Sequence, residues 1–152
     1  MRNGISAAPL PDGLQYGDEI SAACLNADFF PALAYAVKWN ETAALPDAAT
    51  IISADGGHGL MQLTAAFPED WADPYANALY AIETFLRPAE TYWAFIEQGE
   101  ALVRCILAEY NAGRANAIRG HQQGNVDLCT TDNYAARGLA TYHRLLNGEP
   151  PE

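Results

Sequence analysis

Apolar residues recur along this chain with a helical period. From Asp18, a cap candidate, the positions Ile20, Ala23, Cys24 and Ala27 form one stripe. Asp28 is a second cap candidate, followed by Pro31 in the first turn of a helix that runs to about Glu41. Its buried face is Phe30, Leu33, Ala34 and Val37, with Lys38 at the next position of the same stripe. Residues 42–58 contain Pro46, Asp47, Asp55, Gly56, Gly57 and His58 and predict a long loop, with a short β-excursion at Thr50–Ile52. A short helical stretch, Gly59 to Phe67, is expected next. Asp73-Pro74 then starts a helix bearing Tyr75, Ala78, Leu79, Ile82, Phe85 and Leu86. Pro88 either kinks that helix or begins another. The stripe continues through Tyr92, Phe95 and Ile96 to Gly99.

Residues 100–110 form the most apolar helix, buried nearly all round and broken by Asn111-Ala112-Gly113. A short helix over Ala115–Arg119 and a polar loop over 120–130 come next. Thr131 or Asp132 caps a last helix with Tyr134, Leu139, Tyr142, Leu145 and Leu146, ended by Asn147-Gly148. No repeat and no strand alternation interrupts this pattern. The expected fold class is all-α, with at most a small β-ribbon in the 42–58 loop. The expected organisation is an irregular N-terminal arm (1–16), one domain (17–148) and a frayed tail (149–152).

Composition narrows the function. Half of the 152 residues are apolar, enough for one well-filled core. The formal charge of -11, with eight scattered basic residues, argues against nucleic acid as a partner and against a basic helix on an anionic membrane. No stretch is apolar for long enough to span a bilayer, and no ordinary signal peptide is visible at the N-terminus. Cys24, Cys105 and Cys129 are odd in number and widely spaced, which favours free buried thiols over a disulfide framework or a zinc site. The three histidines lack metal-ligand spacing, so neither a metal nor another cofactor is expected.

Three segments could carry chemistry. Glu41 ends an amphipathic helix, follows Trp39 and opens the long loop. A carboxyl desolvated there would have a raised pKa and could act as a general acid; alternatively it is a solvated helix-end glutamate. The run His58-Gly59-Leu60-Met61-Gln62 lets a ligand approach the backbone, or is a glycine-rich turn into the core. Glu109-Tyr110-Asn111-Ala112-Gly113 is by itself an ordinary helix stop, and Tyr134 an ordinary core aromatic.

In order, Glu41-Thr42, Gly59-Leu60-Met61-Gln62, Tyr110-Asn111-Ala112-Gly113 and Asp132-Asn133-Tyr134-Ala135 resemble the soluble lytic transglycosylase and goose-type lysozyme family, over about residues 28–146. The short form is similar to phage-encoded or other mobile-element members. The resemblance implies a lysozyme-like helical domain, a monomer, acting on peptidoglycan glycan strands of the cell wall, in the periplasm or delivered by a phage. It implies Glu41 as the catalytic acid/base, Thr42 as support for the glutamate or the substrate, Met61 and Gln62 in the groove, Tyr110 and Asn111 in its floor, and Tyr134 with its hydroxyl near Glu41. Asp55 and His58 in the preceding loop complete the expected substrate-binding set.

Hydrolysis would need a second carboxylate to position water. Thr64 stands where some members have Asp, and the spacing of Asp55 departs from the family pattern, so transglycosylation is the favoured expectation. The competing expectations are hydrolysis of the same bond, a non-catalytic glycan-binding protein on this scaffold, and an acidic helical regulator. With so negative a chain, affinity for glycan should rest on hydrogen bonds and aromatic faces and survive moderate salt.

Overall fold

The computed structural model describes residues 1–152 as an all-helical fold without a sheet. Its elements are α1 (Gly17–Ala27), α2 (Pro31–Thr42), α3 (Pro74–Ala81), a π-helical turn (Ile82–Leu86), α4 (Arg87–Trp93), α5 (Gly99–Ala112), α6 (Arg114–Gln122), a 3-10 turn (Val126–Cys129) and α7 (Tyr134–Leu146). Extended pairing is confined to isolated bridges: Arg2 with Ile5, Ile52 with His58, and His58 with Leu63. No helix is long and apolar enough to cross a membrane. All three cysteines are free thiols, Cys24 and Cys105 buried and Cys129 half-buried.

Helix α5 is the central rod. Leu102, Val103, Cys105, Ile106, Leu107 and Ala108 are all buried, because α4, α6 and α7 cover its different sides. Helix α7 crosses α5 where Gly138 faces Leu107; a Cβ at Gly138 would lie 2.7 Å from the leucine Cδ1. Helix α2 packs on α7, and Asn40 donates to the Tyr134 carbonyl at 2.9 Å. One continuous core results, with Trp93, Tyr35 and Phe30 its largest fully buried members.

Helix starts differ from expectation in instructive ways. Asp73 does cap α3, accepting from the Ala76 amide at 3.1 Å, with Pro74 at the first helical position. Asp28, by contrast, ends α1 in the left-handed region (φ 53). The ring of Pro31 forces its predecessor out of the helical region, so Phe30 occupies the cap position at φ -93, ψ 114. Asp18 lies inside the first turn of α1, which begins at Gly17. At α7, Asp132 and Asn133 both have positive φ and neither caps through its side chain. Asp127 caps this helix from the 3-10 turn, its Oδ1 accepting from the Ala135 amide at 2.8 Å and its Oδ2 from Ala136 at 3.0 Å.

The predicted helix over Gly59–Phe67 is absent. Gly59 (φ 68) and Gln62 (φ 51) are left-handed, which no right-handed helix accommodates, and the segment forms turns closed by the His58–Leu63 bridge. Helix α6 is longer than predicted.

Both chain ends are tied down. Ile5 is fully buried, the Ser6 amide donates to the Tyr142 hydroxyl at 3.0 Å, and Arg2 pairs with Asp28 and with the buried Glu90, which Arg87 also holds. The tail makes contacts of its own: Arg144 pairs with Glu149 and Glu152, and Trp39 donates to the Glu152 carbonyl at 2.8 Å.

Because Asp127 satisfies two first-turn amides and is itself buried, Asp127→Ala leaves orphan donors at the start of α7. The expected cost is about 2 kcal/mol, read in urea unfolding as a lower midpoint with an unchanged slope.

Candidate active site

Glu41 lies in the last turn of α2, at the bottom of a cleft of about 560 Å³. The 53–65 segment forms one wall through Ser53, Asp55 and Gln62; the end of α5 forms the other through Tyr110 and Asn111. The sequence brings these together because α2 ends beside α7 and points its final carboxylate across the end of α5. Behind the glutamate, the buried Tyr134 directs its hydroxyl at Glu41 Oε2, 3.4 Å away.

Burial pushes the Glu41 carboxyl up to about 7. The Tyr134 hydroxyl opposes this by donating to the charged form, the negative charge of Asp55 adds to it, and Arg137 opposes it more weakly. Burial, together with the glutamate's charge, also raises the Tyr110 and Tyr134 phenols well above their ordinary value, so both stay neutral donors. Asp55 behaves in the opposite way. The Ser53 hydroxyl donates to its carboxylate, as does the Gly57 amide at 3.3 Å, and these bonds hold it below the usual range. Of the three carboxyl groups on the cleft, Glu109 is paired with Arg114 at 2.8 Å, and the other two are driven apart: Glu41 is raised to about 7 and Asp55 is held low. That separation is the physical signature of an acid beside a fixed charge.

Of the sequence-predicted residues, Glu41, Asp55, Gln62, Tyr110 and Asn111 line the cleft, and Tyr134 backs it. Three expected substrate contacts lie elsewhere. Thr42 is buried, its hydroxyl bonded to the carbonyls of Lys38 (3.2 Å) and Leu60 (3.1 Å), so it fastens the loop to α2. Met61 is fully buried in the core; its carbonyl accepts from the Tyr110 hydroxyl at 2.6 Å. His58 packs on the Phe67 ring at 3.9 Å, with Nδ1 2.7 Å from the Gly56 carbonyl. Asn111 also spends its oxygen internally, on the Thr131 amide at 2.8 Å. Gln62 is half-tethered, donating to the Gly59 carbonyl at 3.0 Å.

Two supporting residues escaped the sequence. Asn77 on α3 is fully buried and holds the Gly59–Met61 turn by accepting from the Met61 amide (2.8 Å) and donating to the carbonyls of His58 and Trp71 (3.0 Å each). A Cβ on Gly59 would come within 2.7 Å of its amide nitrogen, so glycine is required there for close approach as well as for φ. The available signal was an Asn one turn before Ala81 on a packed helix. Lys38 is also fully buried, without an acidic partner. Its ammonium donates to Gln15 Oε1 at 2.9 Å and to the Ala43 carbonyl, and burial pulls it down to about 8. It braces Ala43, whose φ 44 and ψ -128 are strained for an alanine, at the exit from α2. A lysine on the apolar stripe was its signal. No group of three or more His, Cys, Asp or Glu side chains converges in a way that could hold a metal ion.

A scan against protein-family models finds no match to this chain, and a search of curated proteins finds none.

The Glu41 shift has a stability consequence. Its folded value lies above its unfolded value of 4.5, so the folded state binds the proton more tightly and loses stability as pH rises from about 4.5 to about 7. Glu41→Gln removes that penalty. Unfolding free energies should therefore agree at about pH 4, while at about pH 8 the variant should be more stable by up to about 3 kcal/mol.

Proposed function

We propose that this protein cleaves the β-1,4 bond between N-acetylmuramic acid and N-acetylglucosamine in peptidoglycan, as a lytic transglycosylase. The observation that carries this reading is Glu41: a carboxyl raised to about 7 by burial, opening onto a cleft walled by amide and phenol groups. The resemblance of the surrounding segments to the transglycosylase and goose-type lysozyme family supplies the substrate class. The protein would act at the cell wall.

The chemistry follows from the proton. Glu41 gives its proton to the glycosidic oxygen as the bond to the muramic C1 breaks, and the N-acetylglucosamine end leaves as an alcohol. The substrate's own N-acetyl oxygen bonds to C1 and takes up the developing positive charge, so no protein nucleophile is required. The Glu41 carboxylate then removes the proton from the C6 hydroxyl, whose oxygen displaces the acetamido oxygen at C1 and closes a 1,6-anhydro ring. Glu41 ends protonated, ready for another turnover. The half-occupied amide of Gln62 and the free amide hydrogens of Asn111 are donors for the sugar N-acetyl and hydroxyl groups.

A hydrolytic reading is favoured by Asp55 alone. It is ionised, lines the same cleft and could orient water at C1. Mass spectrometry of digested walls separates the two reactions: anhydro-muropeptides are expected, and reducing-end products only would make the enzyme a lysozyme. Asp55→Asn should leave activity within about threefold if the C6 hydroxyl is the nucleophile, because that step uses Glu41 as its only base.

Glu41→Gln should lower wall-lysis rate by at least about 10²-fold with the fold intact. Equal lysis by the variant would assign this scaffold to glycan binding. In the native protein kcat/KM should decline above about pH 7, tenfold per further unit, as the acid form is lost.

A further inference from the structure

Lys38, Glu90 and Asp127 are the buried charged side chains of this fold. Glu90 pairs with Arg2 and Arg87, and Asp127 with Arg104, but Lys38 meets no carboxylate. Its ammonium lies instead among aromatic rings, 5.4 Å from the centroids of Tyr35 and Trp39 and 6.0 Å from that of Tyr16. An apolar side chain would fill this place on the buried stripe of α2 without the cost of desolvating a charge. The use of a lysine here therefore lies in its hydrogen bonds. Lys38 stands one helical turn before Glu41.

Those bonds converge on the turn that leaves α2. The Leu45 amide donates to the Thr42 carbonyl at 3.0 Å and closes a β-turn whose first central residue is Ala43. Its φ 44 and ψ -128 are the type II′ geometry, a place that glycine normally fills. An alanine there is strained, and it persists only where its surroundings over-determine it. Lys38 Nζ donates to the Ala43 carbonyl and, at 2.9 Å, to Gln15 Oε1. Gln15 Nε2 in turn donates to the Leu45 carbonyl at 2.9 Å, and the Tyr35 hydroxyl fixes Gln15 by donating to its carbonyl at 2.8 Å. The Ala43 amide closes the last turn of α2 on the Trp39 carbonyl at 3.0 Å, and that turn carries Glu41.

We propose that Lys38 is a positioning residue for Glu41: by holding the Ala43 carbonyl it keeps the turn out of α2 in its strained form, and so keeps the Glu41 carboxyl in its buried place beside Tyr134. Without that bond Ala43 relaxes, the last turn of α2 opens, and the carboxyl gains water. The ionisable groups that face Glu41 are Tyr134 and Arg137 on α7, Asp55 on the loop and Tyr110 on α5, and none of them bonds to Lys38. That the carboxyl so held is a catalytic acid rests on the peptidoglycan reading of the cleft.

The test is a titration of Glu41 in the full chain, followed by NMR of its carboxyl carbon, with kcat/KM for wall lysis measured over the same pH range. In the native protein the midpoint lies at about 7. Lys38→Met, which keeps the length of the side chain and loses its bonds, should lower the midpoint by at least about 1 on the pH scale and kcat/KM at about pH 8 by about tenfold. Ala43→Gly, which adopts the turn without strain, should leave both unchanged, and Lys38→Met in that background should titrate as the native protein does. A native midpoint in Lys38→Met, even with a lower Tm, would overturn the proposal and leave Lys38 as a brace of the fold alone. So would an equal displacement with glycine at position 43, or failure of the double variant to fold. If Lys38→Met alone does not fold, the double variant decides by the same criterion. The titration reads the role of Lys38 whether or not wall is cleaved; the expected displacement in a protein that lyses no wall would overturn the reading of the cleft alone.

Discussion

The constraint on which this molecule turns is the burial of one carboxyl group, Glu41, which disfavours its charged form and raises it to about 7. A carboxyl leaves the charged form only when solvent is kept from it and no cation is offered in exchange. The surrounding structure meets the first condition and largely meets the second. Tyr134 is buried and Tyr110 half-buried, both are bulky and neutral, and each phenol is anchored, one on Glu41 itself and the other on the Met61 carbonyl. The nearest cation with an influence, Arg137, is a weak one and spends its Nε on the Asp132 carbonyl. The packing of α2 on α7 and of α7 on α5 is the means by which three distant segments of chain are brought to one point.

Buried polar side chains serve as fasteners around that point. Thr42, Asn77 and Lys38 each bond to backbone of the loop that faces Glu41 or of the turn that leaves it. The loop has little regular structure to hold it, so its carbonyl and amide groups must find partners from the helices. Groups that do touch the cleft, Gln62 and Asn111, retain unused hydrogen-bonding capacity. The division between fully engaged and partly engaged polar side chains separates the scaffold from the lining of the cleft.

This division explains how much was legible in the chain. Helical periodicity located α2, α5 and α7, because a helix that buries one face, or all of them, writes that burial into its residues at fixed intervals. Asp73-Pro74 marked α3 because cap and first-turn requirements are local. The segment 59–67 spaces its residues like a helix, yet its conformation is dictated by Asn77, a partner from another helix that local spacing does not reveal. The caps of α2 and α7 depart from expectation for related reasons: one is set by the proline ring, the other by Asp127 from outside the helix. Among site residues, Glu41, Asp55, Gln62, Tyr110 and Asn111 converge on one cleft. Thr42 and Met61 adjoin cleft residues in sequence, yet their side chains turn the other way. Adjacency along a chain says which residues travel together, and only the fold says which side of the backbone each presents.

The π-helical turn at Ile82–Leu86 lets a single rod serve two masters. Each residue added to a helix rotates the remainder of that helix by about 100°, so the wide turn changes the azimuth of α4 relative to α3. Helix α3 keeps its buried face on α1, and α4 presents its own to α5. Phe85 sits within the wide turn and faces the cleft. Excision of one residue here would therefore be unlike a deletion in a surface loop. It would re-clock every side chain from Arg87 to Trp93, swinging Glu90 away from its arginines and Trp93 out of the core, and it would take the aromatic edge off the cleft in the same stroke. The molecule's tolerance for length variation should be lowest at a place that, by outline alone, is an unbroken helix.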